Sequence, residues 1–223
     1  MSKSTFLALC GVAAVGSSAF AQTTLNANAT SNNGGSANWA IFFNLTSNGP
    51  ALRVTEMTTG STAAANAAFT VEVFTRAGTG LGGPVSGGPG SSSDGWTSLG
   101  TAPATQGAAA NGTSLTIDIP DIAVPAGQTV GVALLFTGAG PRYFGLGAGA
   151  YQTFSDANLL LTTGDSRSVP FTPTGSFFSP RGLTGSLTYV LDNPPPCRPD
   201  LNNDGELTFD DIQFFVSLYN AND

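Results

Sequence analysis

From residue 39 to residue 191 the chain falls into short runs in which apolar and polar side chains alternate, or in which β-branched and aromatic residues crowd together. A period of two belongs to a strand with one buried face, because successive side chains point to opposite sides of a sheet. The pattern predicts strands at 39–45, 51–57, 69–75, 96–100, 114–119, 129–136, 142–146, 158–162 and 185–191. Turn chemistry bounds them, as in Ser47-Asn48-Gly49-Pro50, Asp94-Gly95, Asn111-Gly112, Pro125-Ala126-Gly127 and Thr163-Gly164-Asp165. In 69–75 the alternation sets Phe69, Val71 and Val73 on one face and Thr70, Glu72 and Phe74 on the other. No helical stripe appears in this region; the nearest window, 62–68, is short and alanine-rich. The expected fold is mainly β: an antiparallel β-sandwich of jelly-roll or immunoglobulin-like type. The period changes only near the end, where Ile212, Phe215, Val216 and Tyr219 recur at i, i+3, i+4 and i+7 and predict a helix opening at Asp210-Asp211.

The first residues follow neither period. Lys3, the apolar run 6–15 and Ala19-Phe20-Ala21 form a positive region, a hydrophobic region and a small-x-small cleavage motif, so 1–21 is expected to be a signal peptide and the mature chain to start at Gln22. A bulky Leu9 ahead of Cys10 argues against a lipid anchor. No later stretch approaches the roughly 20 apolar residues of a membrane-spanning helix. The protein is therefore expected to be exported, extracellular or at the cell surface, with no membrane-spanning segment.

Charge divides what remains. Of 223 residues, 7 are Lys or Arg, 14 are Asp or Glu and none is His, for a formal charge of −7. Such a chain repels a phosphate backbone, which excludes nucleic-acid binding, and it lacks the commonest general base. The acids cluster at the end: Asp192, Asp200, Asp204, Glu206, Asp210, Asp211 and Asp223 stand against Arg198 alone. The break falls at Pro194-Pro195-Pro196, where three prolines cannot continue a sheet and favour a stiff spacer. The expected organisation is a signal peptide at 1–21, a β-sandwich domain at 22–192, a Pro-rich linker at 193–199 and a calcium loop with its helix at 200–223. Segment 77–93 holds seven Gly and no charge. Its composition predicts a long mobile loop.

The clearest chemistry lies in 200–211. Asp200, Asn202 and Asp204 occupy positions 1, 3 and 5 of a twelve-residue calcium loop, and Gly205 supplies the sharp turn at position 6. Glu206 at position 7 offers its backbone carbonyl, Thr208 at position 9 an oxygen directly or through water, and Asp211 at position 12 closes the shell. Oxygen donors of this kind suit a hard cation, Ca2+. Position 12 is Asp where an EF-hand has Glu, and prolines stand where the entering helix would be.

Cys197-Arg198-Pro199-Asp200-Leu201-Asn202-Asn203-Asp204-Gly205, with Phe209-Asp210-Asp211-Ile212-Gln213-Phe214-Phe215, resembles the loop-helix repeat of the GC-type dockerins. That resemblance implies calcium-dependent folding and docking of the helix onto a cohesin-type protein partner, often in polysaccharide-degrading assemblies. Dockerins carry two such repeats and the GC type closes on Gly-Cys. One repeat stands here, so Cys197, the one thiol after residue 21, is expected to lack its usual partner. The middle of the chain resembles an uncharacterised exported bacterial sandwich module through Thr70-Val71-Glu72-Val73-Phe74-Thr75-Arg76-Ala77-Gly78, Asp94-Gly95-Trp96, Val124-Pro125-Ala126-Gly127-Gln128-Thr129-Val130-Gly131, Ser155-Asp156-Ala157-Asn158-Leu159 and Ser179-Pro180-Arg181. It implies fold and export, with no activity.

A polysaccharide partner, bound or hydrolysed, is the competing expectation. Hydrolysis needs two carboxylates facing each other across a cleft. Glu56, Glu72, Asp94, Asp118, Asp121, Asp156 and Asp165 are available, but solvent-face and turn positions account for them. Sugar stacking would fall to Trp39, Trp96, Tyr143, Phe144 or Tyr151, which as aromatics of a sandwich are expected in the core. The sequence favours a non-catalytic protein.

Overall fold

The computed structural model describes residues 21–192 and 208–220. Among these residues thirteen strands pair antiparallel; in chain order they are β1 Thr23–Asn26, β2 Asn33–Gly34, β3 Ala40–Ser47, β4 Leu52–Ser61, β5 Ala68–Ala77, β6 Thr97–Thr105, β7 Ile117–Val124, β8 Thr129–Thr137, β9 Pro141–Gly145, β10 Gln152–Ser155, β11 Leu159–Arg167, β12 Phe177–Leu183 and β13 Gly185–Leu191. Among the described residues one α-helix, α1, spans Phe209–Asn220. The mainly β, antiparallel expectation holds, and so does the helix at the end.

Pairing follows the order β1-β13-β4-β7 on one side and β6-β5-β8-β3-β11-β12-β9 on the other; β10 shares the edge of β11, and the end of β4 pairs with β9. Alternation decides what lies between. Leu52, Val54, Met57, Ile117, Ile122, Leu187 and Tyr189 come from the first set, and Ile41, Phe43, Leu45, Val71, Val73, Val132, Leu134, Leu159 and Leu161 from the second. All are buried in one cluster, so the two sets share a single apolar core. Each such side chain contributes on the order of 1.5–3 kcal/mol by leaving water. The face expected for Phe69, Val71 and Val73 is the inner one, as the alternation required.

A second, smaller cluster covers the outer face of the larger set. Ala40, Phe42, Ala133 and Leu81 are buried there, with Phe74, Trp96, Leu135, Tyr151 and Phe171 packed around them. Its lid is the glycine-rich segment expected to be a mobile loop. That expectation is corrected: the segment is folded onto the sheet, with a 3₁₀ turn at Pro89–Ser91 and Trp96 Nε1 donating to the Pro89 carbonyl at 2.9 Å.

Candidate functional site

Two places hold the polar groups that matter: the start of α1 and the outer end of β11. Of the six proposed calcium ligands, Asp200, Asn202, Asp204 and Glu206 lie outside the described residues, as does the linker 193–199. Thr208 and Asp211 are described. The Thr208 hydroxyl oxygen accepts the Asp210 N–H at 3.2 Å, while Asp211 Oδ2 accepts the Thr208 N–H at 2.8 Å. This reciprocal arrangement is a capping box, in which side chains at both ends of the first turn satisfy backbone donors left without helical partners. It turns the Asp211 carboxylate, only 2% exposed, back toward the residues that precede the helix. Oxygen-only donors in the sequence and two acids in the first turn of the helix are of a kind that suits a hard divalent cation. Among the described residues alone, no group of three or more Asp, Glu or Cys side chains converges to hold a metal.

The second place was not legible as a site. Thr163-Gly164-Asp165 reads as a turn ending a strand, yet it lies inside β11 and Asp165 is 1% exposed. Register explains why. Thr163 stands opposite Phe43 and Asp165 opposite Phe42, so Gly164 is one extra residue, a bulge. Phe43 faces the inner core and Phe42 the outer cluster. One inserted residue therefore turns Asp165 and Arg167 outward, although Leu159 and Leu161, of the same parity, point inward.

On the outer side Asp165 accepts hydrogen bonds from Gly82 N at 2.7 Å and from the Tyr151 hydroxyl, 3.1 Å from each carboxylate oxygen. Burial pushes its carboxyl above the ordinary range, while the Gly82, Ser179 and Tyr151 donors and the Arg167 charge pull the other way. Tyr151 is raised as well, first by burial. Two residues on, the Arg167 guanidinium is 1% exposed and gives its protons to main-chain carbonyls: Nη1 to Val85 at 2.8 Å, and Nη2 to Gly82, Pro84 and Gly87 at 3.3, 3.1 and 2.8 Å. Phe177 presents its ring 4.7 Å from the guanidinium carbon. Asn44 completes the attachment, with Nδ2 donating to Thr79 Oγ1 at 2.9 Å and Oδ1 accepting from Gly80 N at 2.8 Å. Three scaffold side chains thus hold segment 79–87 through its own backbone.

None of the five candidate sugar-stacking aromatics is exposed. Tyr143 is in the core, Trp96 and Tyr151 belong to the outer cluster, and Trp39 stacks on Phe178 at 5.3 Å and 14° while lying against Gly35. The acids are dispersed. Asp121 and Asp192 both pair with Arg53, Glu72 accepts the Ser98 hydroxyl proton at 2.6 Å, and Asp156 closes a turn by accepting from the amides of Asn158 and Leu159. Register sets Glu56 directly opposite Asp118, on strands β4 and β7, but Asp118 is exposed on the open outer face rather than in a cleft. A shallow cleft beside β13, lined by Asn26, Thr58, Thr113, Ser186 and small residues, has no charged or aromatic side chain. Among the described residues no helix is long and apolar enough to cross a membrane. No protein-family model matches the chain, and no curated protein matches it.

Proposed function

We propose that this is an exported, non-catalytic β protein whose C-terminal segment binds Ca2+ and tethers it, through α1, to a cohesin-type partner in a cell-surface or extracellular assembly. The observation that supports the reading is the Thr208–Asp211 capping box at the end of the Asp200-to-Asp211 motif, because it ties the carboxylate of position 12 to the backbone of position 9. Asp200, Asn202, Asp204, Thr208 and Asp211 would hold the cation with side-chain oxygens, and Glu206 with its backbone carbonyl. Bound Ca2+ supplies positive charge that offsets the repulsion among these acids, which otherwise opposes folding of the segment. The helix contributes apolar side chains: Phe209 and Ile212, neighbours on one side of α1, are 67% and 56% exposed and so open to a partner.

A polysaccharide ligand or a hydrolase draws less support, since the aromatics are covered and the carboxylates scattered. Calorimetric titration of Ca2+ into the secreted chain tests the proposal. One site per chain, lost in Asp204→Ala, is the expected result. Equal heats in both proteins, or none in either, would sink the tether.

A further inference from the structure

We propose that Gln22 is a modification site: once it becomes the first residue, it closes on itself to form a pyroglutamyl lactam that blocks the chain end next to the edge strand β1. The inference rests on the export reading above, because cleavage after Ala19-Phe20-Ala21 is what makes Gln22 terminal.

The structure places Gln22 where the reaction is unhindered. It is exposed and lies just outside β1, whose pairing with β13 begins one residue later, at Thr23 opposite Tyr189. Among the described residues no hydrogen bond engages its side-chain amide. The α-amine is therefore anchored through Thr23 while the side chain can swing over it. Both reacting groups belong to one residue, so the step has the advantage of an intramolecular reaction. An α-amine titrates at about 7.7–8.0, so near neutral pH a useful fraction is unprotonated and nucleophilic. Its nitrogen attacks the side-chain Cδ; the new N–Cδ bond forms as the Cδ–Nε2 bond breaks, and Nε2 leaves with a proton from the amine as ammonia. No oxidant, reductant or second substrate is needed.

The product has a purpose in this fold. β1 is a four-residue edge strand held by β13 alone, and its Leu25, 6% exposed, belongs to the core. Aminopeptidases grip a free α-amine, and trimming only a few residues would reach Leu25. The lactam abolishes that amine and its charge.

Intact-mass analysis and amino-terminal sequencing of the freshly secreted protein decide the matter. The expected result is a chain starting at Gln22, lighter by one ammonia, unreadable by stepwise sequencing until a pyroglutamyl peptidase is added. A readable Gln22 at full mass would overturn the cyclisation and leave the cleavage reading standing. A different first residue, or a retained leader, would overturn both. Gln22→Ala cannot cyclise, and aminopeptidase is expected to trim it while sparing the wild-type chain; equal trimming would overturn the protective role.

Discussion

Asp165 and Arg167 are two buried charges that solve their desolvation differently. Arg167 gives its protons to four neutral carbonyls, with Phe177 over its face, so the cation is enclosed by main-chain dipoles. Lysine, a point charge with three donors, could not span the same fork. Asp165 collects donors from Gly82 and Tyr151, and burial still raises its carboxyl above the ordinary value. Because the folded value is the higher one, its contribution to stability is full below the unfolded value and is lost as pH rises through the folded value. Asp165→Asn keeps an oxygen for Gly82 N and removes the titration. As pH rises from the ordinary carboxylate range, the variant is expected to gain stability relative to wild type, and to lie within about 1 kcal/mol of it where Asp165 is protonated. Urea unfolding at a series of pH values measures this. A wild-type–variant difference that does not change with pH would refute it.

Among the elements, the bulge in β11 does the most. A methyl group on Gly164 would sit 2.3 Å from the Phe42 carbonyl oxygen and 3.0 Å from that of Arg181, both main chain and neither free to yield. Gly164→Ala is therefore expected to destabilise by about 2 kcal/mol or more, with loss of the 79–87 attachment. Denaturant melts and amide exchange at Gly80 and Gly82 report the two effects, and an unchanged midpoint would contradict the account. The same bulge marks where sequence reading ran out. Strands with several alternating apolar residues, such as β3, β5 and β8, are legible because their burial is written locally. β1, with one inward Leu25 among polar neighbours, and β12, broken by Pro180 and Gly182, are not. Segment 77–93 reads as mobile because Arg167, which orders it, lies some eighty positions away and only the register of β11 brings it there. The proposed calcium motif is written locally: its candidate ligands are neighbours in the chain, and so is the capping box at its end. Edge strand β6 is also intelligible as an element. Leu99 is an extra residue between Gly100 and Ser98 in its pairing with β5, and Pro103 has no N–H, so its outer rim is ill suited to recruit another strand.

At the scale of the whole molecule, β13 lies between β1 and β4, so the last strand of the β body completes a layer begun by the first. Leu187 and Tyr189, both fully buried, enter the core with it. A chain ended at residue 184 would leave β1 without a partner and one side of β4 uncovered. It is expected to lack cooperative unfolding and to be digested rapidly by protease; a native-like melt would disprove this. The arrangement also sets a clock. While ribosomes extend the chain, the four-stranded layer cannot close before residue 191 has been made, and contacts across so many residues form slowly once it has. Under the export proposed above, such a polypeptide would cross a narrow translocation channel unfolded, and its tertiary structure would assemble on the far side.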